Sequence, residues 1–600
     1  MARRMSVQER LRQSIDEQQS RLRASVPPDR QAAILALLRG QDRLPDLPGL
    51  ESLPDLVTGR RRADLGGNKA LQLCIEATGD DATAAPASAD AEWDGWAERF
   101  LRECGRLAEA ELVLAHCETG FMRMIEDGDG TFAAWIATKR APTSWRERAD
   151  IDWWASWLAT RHAPELRALR AEGQDTESSA PGHDALYRRL ANVHLEMMAY
   201  QLGYPPEAAI GGCTVETYQA VLGRLIAWAI EARDRGEAAP RSERSLVAAI
   251  AADLAIDPAV AGQAVAAVTL DRESAAYHAA VPGVAAAPLV RVAPGWLVWS
   301  VHGLTTEPLL FLTRELKRHA AEEYHNTASL REAVFRQDLY ALFGDKRFVT
   351  SAGRIKLRRD GGDVRTDIDA VVFDRKSGTL GVFELKSQDP FARSSAELAR
   401  QRDNVLYANR QVSGVLAWLK RHGANEILGR IDGQTARTFR VQKVYPFVLG
   451  RYLAHFSDGP EPDRLAAWGT WPQLLRLLDG QPVRATDANP IAALFTRLRN
   501  DVPVIRPPAD GAPREIGIGA ARLIVHPSYA AFQESMAGAG ERPSPPFPPL
   551  PILGEGGRRR GGDLLEPTGR IAIPPLDPTL ARRERGPGPK RGPRAAKPSA

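Results

Sequence analysis

Three residues on two short apolar stretches carry the side chains needed for metal-assisted hydrolysis. Asp369 lies in Thr366-Asp367-Ile368-Asp369-Ala370-Val371-Val372-Phe373, and Glu384 and Lys386 lie in Leu380-Gly381-Val382-Phe383-Glu384-Leu385-Lys386. Side chains on a strand alternate faces, so Asp369, Val371 and Phe373 share one side, as do Val382, Glu384 and Lys386. A turn centred on Lys376 and Ser377 pairs Phe373 with Leu380, Val371 with Val382 and Asp369 with Glu384. Moving the turn centre by one residue pairs Asp369 with Lys386 instead and keeps the three groups together. Like charges opposed on a sheet are unfavourable unless something neutralises them, and a divalent cation does so. Two carboxylates, a backbone carbonyl such as that of Leu385 and several waters suit magnesium. Such an ion lowers the pKa of a bound water and stabilises charge on a phosphoryl oxygen. Lys386 is placed to orient or deprotonate the attacking water, and the expected chemistry is hydrolysis of a phosphodiester.

Two flanking segments of helical periodicity must hold these strands. Glu332 shares a stripe with Phe335, Leu339 and Phe343 and so points toward the sheet. It also completes the sequence Ser329-Leu330-Arg331-Glu332, a capping box in which it would bond the Ser329 amide. Gln401 lies in the stripe Leu398, Gln401, Val405, Ala408, Val412, where a polar group needs a partner, either at the site or at the edge of the core.

This set resembles the PD-(D/E)XK nuclease superfamily. The resemblance covers roughly a fifth of the chain and implies an α/β restriction-endonuclease-like core, a mixed central sheet flanked by helices. By that likeness, Asp369 and Glu384 bind metal with the Leu385 carbonyl, Lys386 serves the water, and Glu332 and Gln401 assist. The implied cofactor is Mg2+ or Mn2+. The chain departs from the pattern in having Ile368 where a proline precedes the acid, and Asp367 is a rival for the acid position. Arg393, Arg400, Arg402 and Arg410 follow in sequence and are expected to contact substrate phosphates, which position a strand without reading it.

The remainder reads as large and mainly helical. At 600 residues, with 44% hydrophobic and 26% charged residues, the chain is long enough for several domains, and a net charge of +4 argues only weakly for nucleic acid. Residues 1–85 read as an N-terminal helical arm, 86–172 as a Trp-rich helical region and 184–281 as an Ala-rich helical region. Residues 285–325 read as short strands and a connecting helix, with Leu289–Val292 and Trp296–Trp299 around a turn and one helix over Thr305–Glu323. The nuclease-like domain with its C-terminal elements takes 326–535. Within it a single strand is expected over Phe348–Leu357. Thr438–Leu449 reads as an edge strand because of Pro446, Asp463–Leu478 as helix and Glu515–His526 as a returning strand. Residues 537–600 form a basic, Pro/Gly/Arg-rich tail expected to be disordered. The Trp stripes, including Trp153, Trp154 and Trp157, are expected to be core.

Cys74, Cys104, Cys117 and Cys213 lack the paired spacing of a zinc site and are too few for a disulfide scaffold, so a reducing, cytoplasmic setting is expected. No signal peptide or membrane span is apparent. The expected partner is nucleic acid, DNA before RNA, in defence, restriction or repair. The alternative is a catalytically inactive nucleic-acid-binding or scaffold protein built on the same core. No phosphate-binding Gly-x-x-x-x-Gly-Lys-Ser/Thr loop occurs, which argues against a nucleotide hydrolase.

Overall fold

The computed structural model describes residues 5–42, 54–77, 93–118, 120, 122–127, 129–136, 143–175, 183–198, 202–235, 240–281, 286–358, 364–389, 395–455, 465–501 and 513–526. Its C-terminal half runs from helix α1 (Ala328–Ala341) through strands β1 (Phe348–Thr350), β2 (Ile355–Arg358), β3 (Val364–Ile368), β4 (Ala370–Asp374) and β5 (Thr379–Lys386). Helices α2 (Ser395–Leu406), α3 (Ala408–His422), α4 (Asn425–Ile431) and α5 (Gly433–Thr438) follow. Strands β6 (Lys443–Gly450) and β7 (Ala467–Thr470) and helices α6 (Trp471–Leu477) and α7 (Pro490–Asn500) complete it.

The tight β4–β5 turn sets the register. Gly378, at φ +63, takes a left-handed conformation and donates its amide to the Asp374 carbonyl, while the Asp374 side chain accepts from the Lys376 amide. Phe373 then pairs with Leu380, Val371 with Val382 and Ala370 with Phe383. The sheet order is β7-β6-β5-β4-β1, with β5, β6 and β7 parallel and β4 antiparallel to both neighbours. Strand alternation supplies two cores. Val372, Phe383, Leu385 and Phe447 pack with Phe335 and Leu339 of α1, whereas Val371, Phe373, Leu380 and Val382 pack with Val415, Trp418 and Leu419 of α3. Covered on both faces, β5 is buried from Thr379 to Leu385, as expected of a central strand.

Several sequence expectations need correction here. The strand expected over 366–373 is broken at Asp369: β3 pairs with β2 in a separate two-stranded ribbon, and β4 enters the main sheet. The strand expected over Phe348–Leu357 likewise divides into β1 and β2. β6 is internal, not an edge. Pro446 is tolerated because β7 pairs only with Phe447–Gly450, so the proline nitrogen falls outside the stretch paired on both sides. Residues 467–470, expected to be helical, form β7.

The N-terminal half is mainly helical, as its 3.6-residue periodicity predicts. Helix Val7–Ala24 opens with a Ser6/Glu9 capping box, and the pair Glu243–Leu254 and Pro258–Ala266 is split where Asp257 caps the second helix. The strands Leu289–Ala293 and Trp296–Trp299 pair antiparallel. The helix expected over Thr305–Glu323 is three pieces, Val301–Thr306, Pro308–His319 and Ala321–Asn326. Pro308 starts the second, where its missing N–H costs nothing.

The Trp-rich region is not all helix. It contains the hairpin Met122–Glu126 and Thr131–Ile136, and the second of these strands pairs in parallel with Ala521–His526, itself paired to Arg514–Ile518. The strands near residue 520 therefore close a sheet begun almost four hundred residues earlier and do not join the β7–β1 sheet. Helix Thr143–Asp175 packs at two places: Trp154 against Tyr452 in the C-terminal half, and Leu166 and Leu169 against Leu186 and Leu190. Trp154 is core as expected, with Trp153 and Trp157 partly buried beside it. Among the described residues no single helix is long and apolar enough to cross a membrane. The linker expected at 78–90 and the tail at 537–600 lie outside the described residues.

Candidate active site

The bend between β3 and β4 gives Asp369 its place. Leaving the ribbon, the chain turns into the main sheet at this residue, and the Asp369 Oδ2 accepts the Leu385 N–H of β5 at 2.9 Å. Helix α1 fixes the bend from one side. Arg336 Nη1 donates to the Asp369 carbonyl at 2.9 Å, and the Tyr340 hydroxyl accepts the Val371 amide at 3.1 Å. Asp369 and Glu384 are each only 5% exposed. Asp367 is on the ribbon, partly exposed and 3.5 Å from Arg354, and its charge adds to the repulsion at Asp369 and Glu384. The bend thus brings Asp369, not its rival, beside Glu384.

Burial and mutual repulsion govern the charge of this group. Loss of water, followed by the field of Asp369, pushes Glu384 up to about 8, against the pull of Lys386. Asp369 is raised as well, by burial first, with the Leu385 amide and Lys386 opposing. Glu332 completes a trio. Burial and then Asp369 raise it, while Arg354, at 3.6 Å, lowers it. Helix α1 begins at Ala328, after Thr327, and no side chain caps it, so the capping box at Ser329 does not form and Glu332 faces the carboxylates.

Lys386 Nζ donates to Glu384 Oε1 and to Gln411 Oε1, both at 2.7 Å. The amide that meets the lysine is therefore Gln411 of α3, not Gln401. Gln401 instead donates its Nε2 to the Asp389 carbonyl at 3.1 Å. The stripe itself holds across the turn at Tyr407, with Val405, Ala408 and Val412 all in the core that includes Phe383 and Leu385, but it takes Gln401 to the backbone beyond β5 and not to the lysine. The signal for Gln411 was present but weak: it lies four residues before Val415, one step off the apolar face.

The expected phosphate-contacting arginines are distributed unevenly. Arg400 and Arg410 are exposed, Arg402 is half-buried and 3.4 Å from Asp403, and Arg393 lies outside the described residues. Arg410 stacks on Tyr407, its guanidinium carbon 4.9 Å from the ring centroid. Arg336, Tyr340, Arg354 and Tyr407, none singled out from sequence, also border the site.

The side chains present fit a hard divalent cation. Among the described residues, no group of three or more His, Cys, Asp or Glu side chains is arranged to hold a metal. The donor set is smaller: Asp369 and Glu384 plus the Leu385 carbonyl, which leaves β5 on the same edge as the amide that Asp369 accepts. Two protein carboxylates, one carbonyl and retained water match magnesium or manganese better than zinc. Two adjacent buried carboxylates that hold protons so strongly are short of positive charge, which such an ion would supply.

Beyond Lys386 the chain is clamped. Gln388 Oε1 accepts the Tyr452 and Leu453 amides at 2.8 and 3.0 Å. Asp389 receives Lys317 Nζ at 2.6 Å, Arg331 Nη1 at 2.9 Å and the Tyr324 hydroxyl, so α1 and residues preceding it hold the chain just past β5. Burial opposes the Asp389 charge, but Lys317 and Arg331 outweigh it and keep its pKa low. Asp389→Asn should cost about 3 kcal/mol of unfolding free energy at neutral pH, because it removes the carboxylate charge that two largely buried cations share. The loss is measurable by urea titration. Because the folded pKa is depressed, the wild-type advantage should fade as pH falls through the carboxylate range.

Comparison with protein-family models, with curated proteins and with solved structures finds no match. Fold and site together define a mixed α/β protein, mainly helical, with a carboxylate–lysine cluster at the carboxyl end of a central strand.

Proposed function

We propose that this chain is a magnesium-dependent nuclease of the PD-(D/E)XK type that hydrolyses phosphodiester bonds in DNA. Manganese is an alternative ion, and the proposed setting is cytoplasmic, in defence, restriction or repair. The observation that carries the reading is the burial of Asp369 and Glu384 side by side with Lys386 on the same strand face. The order α1, β1, β4, β5, α2–α3, β6, with β6 parallel to β5, agrees with a restriction-endonuclease-like core. Ligands of open α/β sheets commonly sit beyond the carboxyl ends of strands, where this cluster lies.

In this reading Asp369, Glu384 and the Leu385 carbonyl hold the cation, which when bound would polarise the phosphoryl oxygen and acidify a water. Lys386, held between Glu384 and Gln411, aims its ammonium at the water and can exchange a proton with it. Gln411 keeps the lysine from collapsing wholly onto Glu384. Glu332 would accept hydrogen bonds from water near Asp369 and Glu384, and Arg410 with Arg400 would contact the phosphate chain. Incubating the purified protein with linear, circular and single-stranded DNA and with RNA, with and without magnesium, tests the proposal; no cleavage of any of them with magnesium or manganese would overturn it.

Glu332→Gln should leave the helix intact, since the residue makes no cap, and should melt at or above wild type without metal, since burial and Asp369 disfavour its charge. It should weaken cation affinity roughly tenfold or more, the usual penalty for losing an orienting partner. Calorimetric titration with magnesium reads the difference.

The Lys386–Glu384 ion pair favours the one competing reading, a binding or scaffold protein in which the pair is structural. Nucleic-acid binding without cation uptake would select it.

A further inference from the structure

Tyr407 is one of four large apolar side chains that stand out as exposed among the described residues, with 49% of its surface in water. It occupies the turn between α2 and α3, where no packing demand explains an aromatic residue. Its ring lies 6.0 Å from Lys386 Nζ and 4.9 Å from the Arg410 guanidinium carbon, so it borders the carboxylate–lysine cluster directly. Phosphate attraction alone would require only the two cations. A half-exposed ring beside them adds something a cation lacks: a flat surface on which a base can stack.

We propose that Tyr407 and Arg410 form a stacking shelf for an unpaired DNA base next to the phosphate to be cut, so that the substrate is single-stranded DNA. The inference rests on the nuclease reading and narrows its substrate. Bases inside a duplex already stack on one another, and an exposed ring gains nothing from them unless one is extruded. An unpaired base has a free face, and stacking on an aromatic side chain contributes about 1–3 kcal/mol per base without regard to sequence. Arg410, packed against the same ring, can add its own planar contact and neutralise the adjoining phosphate. Lys386, 6.0 Å from the ring centre, would set the distance from stacked base to reacting phosphate.

The test uses the full chain carrying Glu384→Gln, so that binding is read without cleavage, and fluorescence anisotropy of a short labelled DNA strand and of the same strand in a blunt duplex. Adding Tyr407→Ala should weaken single-strand binding about tenfold, within the range expected for one lost stacking contact, and leave duplex binding unchanged. Tyr407→Phe should bind as the parent does, because the ring and not the hydroxyl is at work. An equal loss on both DNAs, or no loss on the single strand, overturns the shelf while leaving the nuclease reading in place. If the parent binds neither DNA, the nuclease reading falls and the shelf with it. Unchanged melting temperatures for the Tyr407 variants exclude a folding artefact.

Discussion

Glu384→Gln should abolish cleavage and, in the absence of metal, remove a pH-dependent weakness of the wild-type fold. Burial and Asp369 raise the Glu384 pKa from its ordinary value of 4.5 to about 8. Between these values the unfolded chain has released the proton and the folded chain still holds it. The unfolded state therefore binds fewer protons, and stability must fall as pH rises through the window, by up to about 1.4 kcal/mol per pH unit for one proton. Below pH 4.5 the penalty is absent, and above about 8 it stops growing. A neutral glutamine has no proton to lose, so the variant should show a flatter profile and should melt at or above wild type at the alkaline end. Asp369→Asn should behave similarly, its side-chain oxygen still able to accept the Leu385 amide.

Magnesium should remove the same weakness by another route. Binding only the folded form at a hundred times its dissociation constant, it would stabilise by about 2.7 kcal/mol, and it would do so most at the pH where the carboxylates are free of protons. Neither variant should gain. Thermal melts across pH with and without magnesium, beside a nuclease assay, check all of this. If both variants melt well below wild type without metal at neutral pH, the carboxylates are structural partners of the nearby cations and the catalytic assignment is wrong.

Lys386→Met should give the opposite pattern. The methyl-terminated chain keeps the volume but leaves Glu384 and Gln411 without their shared donor at 2.7 Å. Without that cation the Glu384 carboxylate becomes still harder to ionise, so the metal-free pH window should extend further upward from the same lower edge. The metal-free protein should lose modest stability, because Gln411 is left with an unmet acceptor. Magnesium should nevertheless bind, since all its proposed donors remain. Cleavage should drop at least roughly a hundredfold, the usual effect of losing a positioned acid–base group. Retained metal binding with lost activity separates the water-handling role from a ligand role. Retained activity would instead make Lys386 a structural partner of Glu384.

Sequence by itself determined what local geometry controls. Period-two alternation and the Asp374–Gly378 turn are short-range properties, and they set the pairing of Val371 with Val382 and the placement of Glu384 and Lys386 on one face. The Phe335 and Leu339 stripe likewise oriented α1 toward the sheet. Tertiary structure decided everything that depends on which element meets which. Periodicity reports a buried face but not the neighbour that buries it. The stripe leaves Gln401 a partner either at the site or at the core edge; the fold gives it the Asp389 carbonyl and sets Gln411 against Lys386. Glu332 satisfied a capping pattern in sequence, but the helix starts at Ala328, and the approach of Asp369 and Arg354 determines its surroundings. Asp389 looks in sequence like any polar residue after a strand; only the fold brings Lys317, Arg331 and Tyr324 to it. The pairing of Thr131–Ile136 with Ala521–His526 has no local signature at all, because backbone hydrogen bonds between distant strands are the same for every sequence and only the shared core of Phe132, Ile516 and Leu523 selects the partner.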